Sequence, residues 1–201
     1  MSVLVGRAAP DFTANAVMAD GEIKADFNFA AHIKGKYAVL FFYPLDFTFV
    51  CPSELIAFDH RIKEFTSRGV EVIGCSIDSH FTHKAWRSTA INDGGIGEVN
   101  YPLVADIDHS ICKAYDVEHP AAAVAFRGSF LIDQSGNVRH QVVNDLPLGR
   151  NIDEMLRMID ALQFTEEHGE VCPAGWHKGD TGMKPTTEGV AEYLAEEADK
   201  L

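Results

Sequence analysis

Phe41-Phe42-Tyr43-Pro44-Leu45-Asp46-Phe47-Thr48-Phe49-Val50-Cys51-Pro52-Ser53-Glu54 is the stretch around which the chain is organised. It grows out of an apolar run, residues 37–43, that lacks the alternation of a half-exposed strand. That run predicts a central strand with helices over both faces. A short turn follows, and then Cys51 opens a helix pattern with Pro52, Ser53 and Glu54. Proline is at ease in a first helical turn, where its missing N–H would have had no partner anyway. A thiol at that point faces unpaired N–H groups and the positive end of the helix, and both favour thiolate over thiol. Position therefore nominates Cys51 as a reactive sulfur. The competing reading is a buried structural cysteine, the commoner fate of a reduced one.

Working outward, Leu55, Phe58, Ile62 and Phe65 recur at three- and four-residue spacing and predict a helix to about Arg68, stopped by Gly69. Residues 70–77, with Cys75, form the next apolar strand, so strand, helix and strand make a parallel crossover. A second helix is expected from residue 78 to about 91, with Phe81, Ala85 and Trp86 inward. A breaker-rich loop follows at 92–97. Further on, the pattern predicts a short strand at 101–105 and a short helix at 110–115 containing Cys112. Two strands, 123–132 and 138–143, are joined by the hairpin loop 133–137. The last strong helix spans 151–162, with Asn151 and Glu154 spaced as a capping box. Residues 1–36, with an Asp20-Gly21 turn, are expected to cover one edge of the core. The tail changes character. It is rich in glycine and proline, carries Cys172, and ends in an acidic helix pattern. The organisation expected is one domain over 1–163 and a C-terminal arm over 164–201.

Composition bounds the function. The 201 residues are 46% hydrophobic, enough for one packed core. The formal net charge of -13 argues against nucleic acid and anionic membrane as partners. No apolar run is long enough to cross a bilayer, and the first residues do not read as a secretory signal, so a cytoplasmic location is expected. Four cysteines, none within four residues of another, exclude a zinc knuckle and a Cys-x-x-Cys redox pair. His80 and His83 stand near Asp78, but no third ligand has a persuasive spacing and no metal is expected. The run Gly94-Gly95-Ile96-Gly97 lacks the pattern of a phosphate or dinucleotide loop.

A thiolate at Cys51 needs donors or positive charge. Arg127 interrupts the apolar sequence Ala-Val-Ala-Phe-Arg-Gly-Ser-Phe-Leu-Ile, where a charge is costly without a partner. It therefore points either to the solvent edge of the sheet or to the mouth of the first strand beside Cys51. Arg150, before the last helix, is a weaker candidate of the same kind. Thr48, three residues before Cys51, offers a hydroxyl to a bound oxygen. Cys172 sits in a segment mobile enough to attack an oxidised sulfur, whereas Cys75 and Cys112 lie in apolar contexts and read as structural.

These residues resemble the typical two-cysteine peroxiredoxins of the alkyl hydroperoxide reductase C type. Residues 42–54 are similar to the family's active-site signature, and Val171-Cys172-Pro173-Ala174-Gly175-Trp176 resembles its second signature. The resemblance implies a thioredoxin-like α/β fold, a central mixed sheet flanked by helices, with an N-terminal extension and a C-terminal arm. It implies that Cys51 is the peroxidatic cysteine, lined by Pro44, Thr48 and Arg127, with Arg150 supporting and Glu54 orienting an arginine. Cys172 would be the resolving cysteine, reaching Cys51 of a partner subunit in a homodimer, and five dimers would form a ring. The substrates would be hydroperoxides. The reductant would be thioredoxin or a dedicated flavoprotein disulfide reductase, with no bound cofactor. Gly94, Gly95 and Gly97, with Tyr193 and Leu194, resemble the elements of overoxidation-sensitive members. Leu194 stands where those carry phenylalanine, which implies intermediate sensitivity. A general thiol–disulfide oxidoreductase would want Cys-x-x-Cys in place of Cys51-Pro52-Ser53. A holding chaperone built from the oligomer remains the non-enzymatic alternative.

Overall fold

The apolar run becomes β3 (Tyr37–Phe42), and all six of its residues are buried. Its two faces feed two layers of core. Ala38, Leu40 and Phe42 join Ile73, Cys75, Val104, Phe130 and Tyr115 on one side. On the other, Phe41 stacks on Phe58 at 4.1 Å between ring centroids and meets Tyr101 edge-on at 5.8 Å. Such aromatic pairs each contribute roughly 0.5–1.5 kcal/mol beyond the area they bury. The computed structural model describes residues 2–200.

The chain before β3 supplies a hairpin, β1 (Thr13–Val17) and β2 (Ile23–Asn28), and a short helix α1 (Phe29–Ile33) capped by the Asn28 side chain. Gly21 makes the hairpin turn at φ +82, a conformation glycine enters without steric penalty. After β3 come α2 (Cys51–His60), α3 (Ile62–Ser67), β4 (Val70–Ser76) and α4 (His80–Ser88). Then follow β5 (Leu103–Ala105), α5 (Ser110–Ala114), β6 (Arg127–Ile132), β7 (Val138–Asn144), α6 (Ile152–His168) and α7 (Thr187–Glu197). The seven strands form one sheet in the order β2-β1-β5-β4-β3-β6-β7. β3 runs parallel to β4 and antiparallel to β6, so the sheet is mixed, and the β1–β2 hairpin lies at one edge as the sequence predicts.

Four local expectations are corrected. The helix over 51–68 is two helices, because the backbone departs from helical geometry at Arg61, at φ -106 and ψ 6. On α4 the buried residues are His83, Trp86 and Arg87, while Phe81 is 67% exposed and Ala85 also faces solvent. The guanidinium of Arg87 turns inward because it donates to the Met18 and Ala19 carbonyls of the β1–β2 turn at 2.6 and 2.8 Å. β6 starts at Arg127 rather than at residue 123, where Ala123 has φ +49 and cannot extend a strand. The last strong helix runs on to His168, with Arg157 pairing with Glu154 at 2.7 Å.

Two compact units divide the chain after Ile152. The first holds the sheet and α1–α5. In the second, Trp176 is buried against Phe164 at 4.8 Å and donates to the Asp180 carbonyl, and Val171 pairs with Met183 in an antiparallel bridge. The glycine loop has its own steric requirement. A Cβ on Gly95 would lie 1.9 Å from the Thr89 carbonyl oxygen. We expect Gly95→Ala to lower stability by about 1–3 kcal/mol, as overpacking does, read from the urea midpoint. An unchanged midpoint would mean the loop has slack that its geometry does not show.

Candidate active site

β3 ends in a turn whose polar atoms are satisfied inside the protein. Tyr43 is fully buried and its hydroxyl donates to Asp46 Oδ1 at 2.8 Å. Asp46 Oδ2 lies 2.7 Å from His83 Nδ1, and His83 Nε2 is 3.1 Å from the Val104 carbonyl. Both ring nitrogens thus face acceptors. The Asp46 backbone N–H donates to Asp78, whose carboxylate also accepts from Ser76. Burial pushes the Asp46 carboxyl up, opposed by its bond to His83 and the charge there. It pushes the Tyr43 hydroxyl well up, reinforced by Asp46. This network ties the turn to β4, α4 and β5.

The next residues place the sulfur. Phe47 takes φ +53, which reverses the chain, and Thr48 follows. The Thr48 hydroxyl lies 2.8 Å from the Leu45 carbonyl and 3.0 Å from Cys51 Sγ. It has one proton for two acceptors. With a protonated thiol it serves Leu45 and accepts from sulfur; with a thiolate it can turn its proton to sulfur. Cys51 is 1% exposed at the head of α2. Pro44 is buried immediately after β3.

Arg127 resolves its two sequence readings. It is 3% exposed, not at the solvent edge, and its Nη1 lies 3.4 Å from Cys51 Sγ and 2.7 Å from Glu54 Oε2. Its Nε donates to the Leu146 carbonyl at 2.7 Å. Glu54, one turn into α2, is held from the other side by Arg150. The Arg150 Nε and backbone N–H reach Oε1 at 2.9 Å, and Nη2 reaches Oε2 at 2.8 Å. The remaining Arg150 nitrogen donates to the Phe42 and Gly128 carbonyls. Its guanidinium also lies over the Phe41 ring at 5.1 Å, a favourable cation–π position. Burial alone would raise the Glu54 carboxyl. The hydrogen bonds and charge of Arg150, then the charge of Arg127, outweigh it and hold the carboxyl below its ordinary range.

The other cysteines are set apart by environment. Burial pushes the Cys75 thiol well up, helped by Asp106, and pushes Cys112 up to about 12. Cys172, in the second unit, is half-buried, with Sγ 3.5 Å from the Ala161 carbonyl and 3.7 Å from the Thr165 hydroxyl. Gly94 accepts from the Trp86 indole at 2.9 Å, and Gly94 and Gly97 both take positive φ. Tyr193 is half-buried and Leu194 is 44% exposed on α7. His80 and His83 do not converge on an ion: His83 belongs to the Asp46 network, and His80 packs on Phe81 at 4.1 Å.

Sequence reasoning brought Cys51, Thr48, Arg127, Glu54 and Arg150 to one place and missed Tyr43, Asp46 and His83. The signal was present. Asp46 is the one acid in an otherwise apolar turn, and His83 stands three residues before Trp86, on the inward face of α4.

A mixed sheet with a lone, donor-flanked cysteine at the head of the helix that follows a central strand defines a thioredoxin-like protein with single-thiol chemistry. Residues 5–141 match the AhpC/TSA family, and residues 161–196 match the C-terminal domain of 1-Cys peroxiredoxin. The chain is 57% identical over 199 residues to alkyl hydroperoxide reductase C of Helicobacter pylori (strain ATCC 700392 / 26695), covering 99% of this chain and 100% of that protein. It is 49% identical to peroxiredoxin-1 of Gallus gallus, covering 96% of each. Among solved structures, the reduced 2-Cys peroxiredoxin of Plasmodium vivax superposes with a TM-score of 0.92 at 49% identity, over 96% of this chain and 100% of that one. The chain belongs to the AhpC/TSA family, as a peroxiredoxin of the alkyl hydroperoxide reductase C type. Its activity is that of a thiol peroxidase, which reduces peroxides through a peroxidatic cysteine.

Glu54 is the only acid hydrogen-bonded to both Arg127 and Arg150 among the described residues. We expect Glu54→Gln to cost about 3–5 kcal/mol at neutral pH by leaving buried charge uncompensated. The sign with pH follows from the lowered carboxyl. Its stabilisation is complete above the ordinary carboxylate range and is lost as pH falls through the lower folded value. Urea midpoints from pH 7 down to 3 should show the gap between wild type and Glu54→Gln narrowing on the acid side. A gap constant with pH would contradict the assignment.

Proposed function

We propose that Cys51 is the peroxidatic cysteine and Cys172 the resolving one. The observation that carries the first assignment is the pair of donors aimed at the Cys51 sulfur, Thr48 Oγ1 at 3.0 Å and Arg127 Nη1 at 3.4 Å, in a seat closed to solvent. The Cys51 thiolate attacks the distal oxygen of a hydroperoxide in line with the O–O bond. The S–O bond forms as the O–O bond breaks. The leaving oxygen takes a proton and departs as water or alcohol, and sulfur becomes sulfenic acid. Negative charge moves from sulfur onto two oxygens, so donors already fixed at the sulfur are in place for the transition state. Arg127 is held in orientation by its Nε bond to the Leu146 carbonyl and its Nη1 bond to Glu54. Pro44 and Pro52 help to close the seat against water.

Cys172 of a second copy then attacks the sulfenic sulfur, water leaves, and an intersubunit disulfide forms. The similarity of the chain to the 2-Cys peroxiredoxin of Plasmodium vivax, over 96% of its length, supports this reading. A dithiol reductant, thioredoxin or a flavoprotein disulfide reductase, reopens the disulfide by exchange. A homodimer, and a ring of five dimers, fits the apolar surface on the first unit, where Phe49 is 98%, Phe81 67% and Phe47 51% exposed. The glycine loop with Tyr193 and Leu194 sets an intermediate sensitivity to a second peroxide. Neither the fold nor the relatives favour the holding-chaperone alternative.

Peroxide consumption with a thioredoxin system, run beside a non-reducing gel, tests the roles. Cys51→Ser should be inactive. Cys172→Ser should react once and stop without forming a linked dimer. Sustained turnover by Cys172→Ser would remove Cys172 from the scheme. In single-turnover experiments Arg127→Gln and Thr48→Val should each slow oxidation of Cys51 by about 10²–10³-fold, as lost transition-state donors do. Rates within a factor of about two of wild type would contradict their roles.

A further inference from the structure

A histidine, a cysteine and a glutamate, all side chains of metal-ligating type, come together at α5 and include none of the residues around Cys51. Asp106 is 1% exposed and closes the start of this short helix by accepting from the Ile111 and Cys112 N–H groups at 2.9 and 2.8 Å. His109, just before the helix, takes φ +62. Cys112 is fully buried, with Sγ 3.4 Å from the His109 carbonyl. Glu118 comes from the next segment, where it pairs with Ala125 in an isolated bridge. Its Oε1 is 2.7 Å from His109 Nδ1. One nitrogen, one sulfur and one carboxylate oxygen lie within 4.8 Å of one another.

We propose that His109, Cys112 and Glu118 form a binding site for a zinc-class divalent cation. The donor set is mixed imidazole, thiolate and carboxylate, which suits zinc over magnesium or calcium. Tetrahedral bonds of about 2.0–2.3 Å put ligand atoms roughly 3.3–3.8 Å apart. Binding would part Nδ1 and Oε1, now 2.7 Å apart, and bring the three atoms, now within 4.8 Å, to that spacing. The imidazole and carboxylate are 20% and 26% exposed, so the ion enters from solvent and a water fills the fourth position. Asp106 lies behind the thiol as an outer anion. The carboxylates of Asp106 and Glu118 on either side of the group supply negative charge that a bound cation would offset. The exchange is balanced without redox change. The ion replaces the thiol proton, which leaves to solvent. The proton that Nδ1 shares with Glu118 moves through solvent to Nε2, so that neutral imidazole binds the ion through Nδ1 and the carboxylate binds it in place of their mutual hydrogen bond. The opposing charge is Lys113, whose Nζ is 3.8 Å from Glu118 Oε1. Its side chain is 58% exposed and free to swing away.

Cobalt(II) titration of the full chain tests this in a background with Cys51 and Cys172 both changed to serine. We expect a thiolate-to-cobalt charge-transfer band in the near ultraviolet and strong tetrahedral bands in the visible. Both should saturate at one ion per chain and bleach on adding zinc. Cys112→Ala should abolish the charge-transfer band. Because Cys112 packs in the core, His109→Gln and Glu118→Gln carry the test if that variant does not fold, and each should weaken binding by roughly 10-fold or more. Zinc should also raise the thermal midpoint of the background protein in a concentration-dependent way, and not that of the variants. No charge-transfer band at saturating cobalt, or affinity unchanged in both His109→Gln and Glu118→Gln, would overturn the site.

Discussion

Glu54 between Arg127 and Arg150 is the interaction on which the site around Cys51 rests. Two guanidinium groups and one carboxylate are almost wholly removed from water, an arrangement that gains little stability over an apolar one and loses much when any member is removed. Its return is geometric. Arg150 binds the carboxylate with two nitrogens while donating to the carbonyls of Phe42 and Gly128. It therefore locks the first turn of α2 to the ends of β3 and β6 at once. Arg127, anchored through Nε to Leu146 and through Nη1 to Glu54, presents the same Nη1 to the sulfur. The donor at Cys51 is fixed by partners that never touch it.

The same arrangement limits what can move. Cys51 is buried, yet in the proposed cycle its sulfur must leave the seat to meet a second thiol. α2 starts weakly for this purpose. Val50 gives no side-chain cap, Pro52 has no N–H, and the Ser53 and Glu54 N–H groups reach the Val50 carbonyl at 3.1 and 3.4 Å. One turn later Glu54 is pinned by both arginines. Local opening therefore stops at Glu54, and the segment that can unwind is the one that carries the thiol. On the other side, the Tyr43–Asp46–His83 network holds the base of the loop to the sheet.

The sheet was legible in the sequence because its central strands are apolar on both faces and are bounded by glycine and polar turns. The residues gathered around Cys51 were legible for a related reason. A charge at Arg127 inside an apolar strand, and a cysteine at a helix start, both break the pattern around them and so ask for a partner. Pairwise geometry was less legible. That Glu54 serves two arginines depends on the adjacency of β3 and β6, strands far apart in the chain. His83 was given no role, because its partner lies on the turn after β3 and not along its own helix. Phe81 was placed inward by helical period. Arg87 took the inner face instead because the β1–β2 turn offers two carbonyls there.

The central claim is that geometry, rather than charge alone, sets the donor at Cys51. The direct measurement is the second-order rate of Cys51 oxidation by hydrogen peroxide in Arg150→Lys, a residue that does not contact the sulfur. Lysine keeps the positive charge but lacks the planar fork that holds Glu54. If the fork orients Arg127, the rate falls by roughly 10- to 100-fold, in the range of lost outer-shell support, while the protein stays folded. A folded Arg150→Lys variant that reacts at the wild-type rate would contradict the account.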